Sequence, residues 1–240
     1  MPDSSTTDAR AVVEPFDRIL LPDRWRRAMP VVIAFCVLGV AALGWWYAGA
    51  RTAGQLDASI GDPLIAGGQN YEEPLWLLTA PGSPPGLLLG MVILVFAARR
   101  TGRRPVVVLA IAGPVLAALI VEFVLKPIID RTHYGSLALP SGHANSIAAQ
   151  ITVFMIGFVA VGLPRRTWVR RLLVLLAGCV VVGVCGAMVS LERHYATDTA
   201  AGILVGIAVV GAVALGLDAW TRRSLFRSAE YGLPGHAGGG

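Results

Sequence analysis

Apolar and polar positions alternate along this chain in long blocks. Stretches at about 29–49, 83–98, 105–125, 143–163, 172–190 and 199–220 are long, uniformly apolar and nearly free of charge, and a bilayer core needs roughly 20 such residues per helix. The pattern predicts six transmembrane helices, an all-α polytopic membrane protein folded as a bundle over residues 29–221. Polar or glycine-rich tails at 1–28 and 222–240 are expected to be mobile and cytoplasmic. The second stretch opens with Pro84-Pro85, so its start is the least sharply marked. The first stretch lies behind a long polar leader and ends in Trp45-Trp46-Tyr47, not in a small-residue cleavage site. It is therefore read as a retained span, not a signal peptide.

Composition agrees. Of 240 residues, 55% are hydrophobic and 15% charged, with a mean hydropathy of +0.66, which excludes an ordinary soluble domain. Cys36, Cys179 and Cys185 all fall within spans and offer neither a disulfide framework nor metal-ligand spacing. The net charge of +5 matters less than its placement. Sixteen of the 20 lysines and arginines fall on one side of the bilayer. They are Arg10, Arg18, Arg24, Arg26 and Arg27 in the leader, Arg99, Arg100, Arg103 and Arg104 after the second span, Arg165, Arg166, Arg170 and Arg171 after the fourth, and Arg222, Arg223 and Arg227 after the last. The positive-inside rule puts that side in the cytoplasm, and six spans return both termini to it. These clusters sit at span ends, so they are read as topology signals and no nucleic-acid partner is expected. Trp25, Trp45, Trp46, Trp76, Trp168 and Trp220 lie near span ends as an interfacial aromatic belt does.

The remaining cations, Arg51, Lys126, Arg131 and Arg193, fall outside, and three of them share two short loops with His133, His143 and His194. Lys126 and Arg131 offer a point charge and a planar fork suited to a phosphate dianion. They would equally serve as lipid-headgroup contacts or topology anchors. In Pro140-Ser141-Gly142-His143, Ser141 is a plausible helix N-cap, Gly142 permits close backbone approach, and the free N–H groups of the helix start suit phosphate. His143 would sit at the rim, where a proton could be delivered. A plain helix cap with an interfacial histidine is the blander reading. His194 and Asp198 are four apart, so one helical face would carry both. The aspartate would fix the imidazole's tautomer and leave its other nitrogen as a nucleophile. A helix-terminal acid beside a histidine reads the same way. Together the loops hold the parts of phosphoryl transfer through a phosphohistidine. The outer acids show no ligand spacing, so neither metal nor other cofactor is expected.

With these residues the chain resembles the type-2 phosphatidic acid phosphatase superfamily of lipid phosphate phosphatases, over about residues 83–220. That superfamily has six spans and the motifs Lys-x6-Arg-Pro, Pro-Ser-Gly-His and Ser-Arg-x5-His-x3-Asp. The second motif is complete at Pro140, Ser141, Gly142 and His143, and the third ends intact at His194 and Asp198. Two departures fall on the charge clamp. His133-Tyr134 stands where the first motif has Arg-Pro, and Ala187-Met188 where the third has Ser-Arg. Arg131, two residues early, is the expected substitute for the first arginine, and Arg193 or its neighbour Ser190 a partial one for the second.

The resemblance implies that His194 attacks phosphorus, Asp198 orients it, and His143 protonates the leaving group and then activates water. Lys126, Arg131, Ser141 and Gly142 would hold the non-bridging oxygens, with Arg193 and His133 beside them. The implied substrate is a lipid phosphate or polyprenyl diphosphate arriving from the bilayer at the outer face of the cell membrane, with membrane lipids as the surrounding partners. A lipid phosphotransferase, a non-catalytic lipid binder or transporter, and a vanadate-dependent haloperoxidase are the alternatives. The long segment 51–82 is either a lid lying on the membrane or a connector. Glu122 is expected to pair with Lys126 one turn on, and Asp130 with Arg131.

Overall fold

A computed structural model describes residues 20–231; the expectations for the outer parts of both tails lie outside the described residues. The chain is almost entirely helical. Helix α1 (Asp23–Trp46) is followed by two short helices, α2 (Gln55–Gly68) and α3 (Glu72–Thr79). Then come α4 (Pro84–Arg100) and α5 (Arg104–Ile120), the latter running through a π turn (Val121–Leu125) into α6 (Lys126–Ile129). A two-residue hairpin pairs β1 (Thr132–His133) with β2 (Ser136–Leu137). It leads to α7 (Gly142–Gly157), α8 (Thr167–Ser190) and α9 (Ala196–Tyr231).

Five helical segments among the described residues are long and apolar enough to cross a membrane, and a sixth is obtained if α3 and α4 count as one span bent by 49°. The bend falls at Pro81-Gly82-Ser83-Pro84-Pro85, where ring geometry removes backbone donors and blocks a straight helix. Ser83 then restarts the chain as the N-cap of α4, its hydroxyl accepting from Gly86 N–H. Side chains such as Phe35, Leu38, Leu89, Phe123, Leu175 and Val182 point outward and are more than half exposed. Water would penalise so wide an apolar surface, whereas lipid accommodates it. The chain is thus a polytopic helical bundle, as its hydropathy predicts.

At the centre α7 packs against α9, α5, α4 and α8. The α7–α9 crossing is close because α9 carries Gly202 and Gly206 one turn apart. A Cβ at Gly202 would lie 2.4 Å from the Ser141 carbonyl oxygen, and one at Gly206 2.8 Å from that of Asn145. Small residues spaced four apart allow such backbone approach inside membranes. The contact seats the first turn of α7 against the first turns of α9, which sets the candidate site.

Segment 51–82, read from the sequence as a lid lying on the membrane or a connector, is mostly helical. It forms α2 and α3, both packed on α8, and α2 also touches α9. Its approach is fixed by Thr132 N–H donating to Ala50 O at 3.0 Å and Gly49 N–H to Ile129 O at 2.9 Å.

Candidate active site

Local backbone geometry brings three segments together. The π turn at Val121–Leu125 widens the helix just before Lys126, a distortion that re-aims the side chains after it. Lys126 Nζ donates to both carboxylate oxygens of Glu122, at 2.7 and 2.9 Å, as the sequence predicts. Ser141 caps α7, its Oγ accepting from Ala144 N–H at a long 3.5 Å. Ser141 N–H donates to Asp198 O at 2.9 Å, which joins the two loops directly. Glu192 takes a left-handed conformation (φ 53°) after α8. Arg193 and His194 N–H groups then close that helix end on Met188 O at 2.9 and 3.2 Å.

These segments enclose a cavity of about 620 Å³. Both histidines of the proposed chemistry, His143 and His194, line it, with Lys126, Gly142, Arg193, His133 and Glu122. Deeper along the helices its wall turns apolar, at Leu87, Ala118, Val121 and Met188. His194 Nδ1 lies 3.5 Å from Asp198 Oδ2 and has no hydrogen-bond partner. That separation is long for a hydrogen bond and is the kind that tightens when a substrate arrives. Asp198 is fully buried behind the imidazole.

Arg131 corrects the sequence reading. It does not line the cavity but is fully buried beside it. Its Nη1 donates to Asp198 Oδ1 at 2.7 Å and Thr197 Oγ1 at 2.7 Å, and its Nη2 to Asp57 Oδ2 at 2.5 Å. The rings of Tyr47 and Tyr195 cover the guanidinium, with centroids at 4.1 and 4.3 Å. Both Nη groups of the fork are thus taken up by two carboxylates and a hydroxyl, and two rings close it off from the cavity. Asp57 completes the cluster by accepting from Thr197 N–H and Oγ1–H at 3.0 and 2.8 Å. Burial alone would raise the Asp57 pKa, but the Thr197 and Arg131 donors outweigh it and hold the carboxyl below its ordinary value. Asp130 does not pair with Arg131 either. Its left-handed backbone (φ 51°) turns it to Arg51, at 2.8 Å.

The other expected binding residues divide. Gly142 and Arg193 are on the wall, and the Arg193 guanidinium rests over Trp76 of α3 with a centroid distance of 5.3 Å. Ser141 is sealed beneath the wall, used as a cap and a loop tie. His133 reaches the wall, but its Nε2–H donates to Glu192 O at 2.8 Å and its ring packs on Tyr195 and Tyr134. It clasps one loop to the other. Met188, in the place of the motif arginine, adds an apolar surface instead of a charge. Sequence reasoning passed over Asp57, whose partners are distant in the chain, and Asn145. Asn145 is fully buried at the cavity wall with neither amide atom paired among the described residues. Its place two residues after His143, as an amide inside a predicted span, was the available signal.

The fold and the site thus define a helical membrane bundle with three histidines and two cations on one cavity. Residues 123–222 match the model of the PAP2 superfamily, in line with the resemblance that the sequence carries. The match covers Lys126, both histidine motifs, α7, α8 and most of α9, and begins later than the resemblance read from the sequence, leaving out α4 and α5. No curated protein and no solved structure matches the chain.

Proposed function

We propose that this protein is an integral membrane phosphatase that hydrolyses a lipid phosphate or polyprenyl diphosphate through a phosphohistidine on His194. The observation that carries the reading is the convergence of His143 and His194, from separate loops, on one cavity that also holds Lys126 and Arg193. Asp198, itself held by Arg131, faces His194 Nδ1. That leaves Nε2 to attack phosphorus in line as the leaving oxygen departs. His143 gives the leaving oxygen its proton, then takes one from the water that splits the phosphorus–nitrogen bond. Lys126, Arg193 and the N–H groups at Gly142 stabilise the equatorial oxygens, which is where most of the catalysis of phosphoryl transfer resides.

The apolar lower wall at Leu87, Ala118 and Val121 suits the first carbons of a lipid tail. The clusters Arg99–Arg104 and Arg165–Arg171 lie at the opposite helix ends from the cavity, so by the positive-inside rule the site opens to the outer face of the cell membrane and the ends of the chain lie in the cytoplasm. The test is phosphate release from a panel of lipid phosphates and diphosphates by the purified full chain in detergent with EDTA present. Release is expected from the intact protein and not from His143→Ala or His194→Ala. Release that survives either substitution, or that EDTA removes, overturns the mechanism.

A further inference from the structure

The cavity wall contains an anion of its own. Glu122 stands on the π turn, and its Oε1 and Oε2 chelate Lys126 Nζ at 2.7 and 2.9 Å. Its Oε1 also lies against the start of α7, where a Cβ on Gly142 would be 3.0 Å away. That is the mouth of a helix whose first N–H groups and positive dipole end draw anions. Only the missing side chain at Gly142 lets the carboxylate come so near. Within the pair the lysine is the covered member, with 13% of its side chain exposed, while 48% of the Glu122 side chain is open. The acid is free to leave where the lysine is not.

We infer that Glu122 is a built-in competitor for the phosphate seat, setting a threshold of affinity that a dianionic phosphate clears and a monoanionic phosphodiester does not. The inference rests on the phosphatase reading above only in assigning that seat to phosphate. An entering phosphoryl group must displace the carboxylate from Lys126 and from the α7 N-terminus. A phosphodiester brings one negative charge, the same as the carboxylate, and gains little from the exchange. A terminal phosphate or diphosphate brings more charge and more acceptor oxygens, and wins it. The advantage is concrete for a site at headgroup level, because ordinary phospholipids of the bilayer are phosphodiesters in great excess. The displacement cost is the same for every ligand, so it leaves weak binders below occupancy and strong ones above it.

The probes are orthophosphate at about pH 8, where it is mainly dianionic, and dimethyl phosphate, a permanent monoanion. Binding of each to the full chain in detergent is measured by calorimetry for the intact protein, Glu122→Gln and Glu122→Asp. The intact protein is expected to prefer orthophosphate. Glu122→Gln is expected to tighten both by at least about tenfold, orthophosphate no less than dimethyl phosphate, because the displaced competitor costs each ligand alike. Glu122→Asp, too short to span Lys126 and Gly142, is expected to fall between. A Glu122→Gln protein that binds the probes more weakly than the intact protein, or no more tightly, overturns the inference and makes Glu122 a holder of Lys126. These readouts need no turnover: absence of phosphate release from every lipid phosphate, with the tightening seen, would sink the phosphatase reading alone. Failure of all three proteins to bind either probe would sink both.

Discussion

Helix α9 carries a buried aspartate near each end, and the two are used differently. At the end remote from the cavity, inner in the proposed topology, Asp218 accepts Leu20 and Leu21 N–H at 3.2 and 3.1 Å and Arg222 Nε–H at 2.8 Å. Arg222 returns a bond to Leu21 O at 3.2 Å, and the two leucines fill the core below. The unit is a clasp for the chain entering α1. At the outer end Asp198 also takes an arginine and a backbone N–H, from Arg131 and Tyr195. Yet its Oδ2 additionally faces His194 Nδ1, and Asp57 shares the same arginine. Inside, Arg222 is a quarter exposed and its second acid, Asp23, two-thirds exposed, so water screens the cluster. Outside, both carboxylates and the arginine are wholly buried. Equal chemistry in unequal burial gives one charge arrangement that only ties the chain and another that leaves surplus negative charge behind a histidine. A surplus of that kind favours the cationic imidazole that nucleophilic attack on phosphorus creates.

The sharpest way to break the comparison is to remove each arginine. Arg131→Met strands two buried carboxylates, a change that costs about 3–5 kcal/mol. It should lower the thermal midpoint in detergent steeply and abolish phosphate release from whatever remains folded. Arg222→Met strands one buried carboxylate, which keeps its Leu20 and Leu21 N–H donors, and should cost less, about 1–3 kcal/mol, with turnover per folded molecule intact. Equal losses at the two ends would refute the difference in burial as the cause.

Replacing each aspartate by its amide separates orienting from tying. Asp198→Asn keeps the shape but removes the charge facing His194 and allows the wrong tautomer, so kcat should fall about 10²–10⁴-fold. Asp218→Asn should leave kcat unchanged and cost about 1–2 kcal/mol of stability. Turnover measured against the folded fraction for both proteins decides it. A kcat for Asp198→Asn within a few-fold of the parent would make Asp198 a second clasp.

This division explains what could be read from the chain alone. The spans were legible because lipid selects apolar residues one segment at a time, and each block reports its own environment. The N-cap at Ser141 and the Glu122–Lys126 pair were legible because their partners lie within one helical turn. The fate of Arg131 was not, because its partners Asp57 and Asp198 are 74 and 67 residues away. Charge in a loop reads as exposed until a distant helix covers it. Nor was α2 legible as part of the site. Its hydropathy resembles that of a connector, and its contribution is one carboxylate, Asp57, delivered by packing on α8 and α9. Asp130 misled for a backbone reason, since its left-handed turn points it to Arg51 rather than to its sequence neighbour.

The mildest test of the outer cluster is acid. The Asp57 pKa lies below its ordinary value in the folded chain, through Thr197 and Arg131 winning over burial. A carboxyl with a depressed folded pKa contributes stability that is complete above its unfolded value, near about 4. The contribution is lost as pH falls through the folded value, because the unfolded chain then binds the proton first. The thermal midpoint should therefore drop between about pH 5 and pH 3 more steeply for the intact protein than for Asp57→Asn, which has no proton to take up at that position. Asp57→Asn should start lower at neutral pH, since its amide pairs less strongly with Arg131, and the two curves should converge in acid. Parallel curves would mean that the carboxylate is not held by the guanidinium in solution.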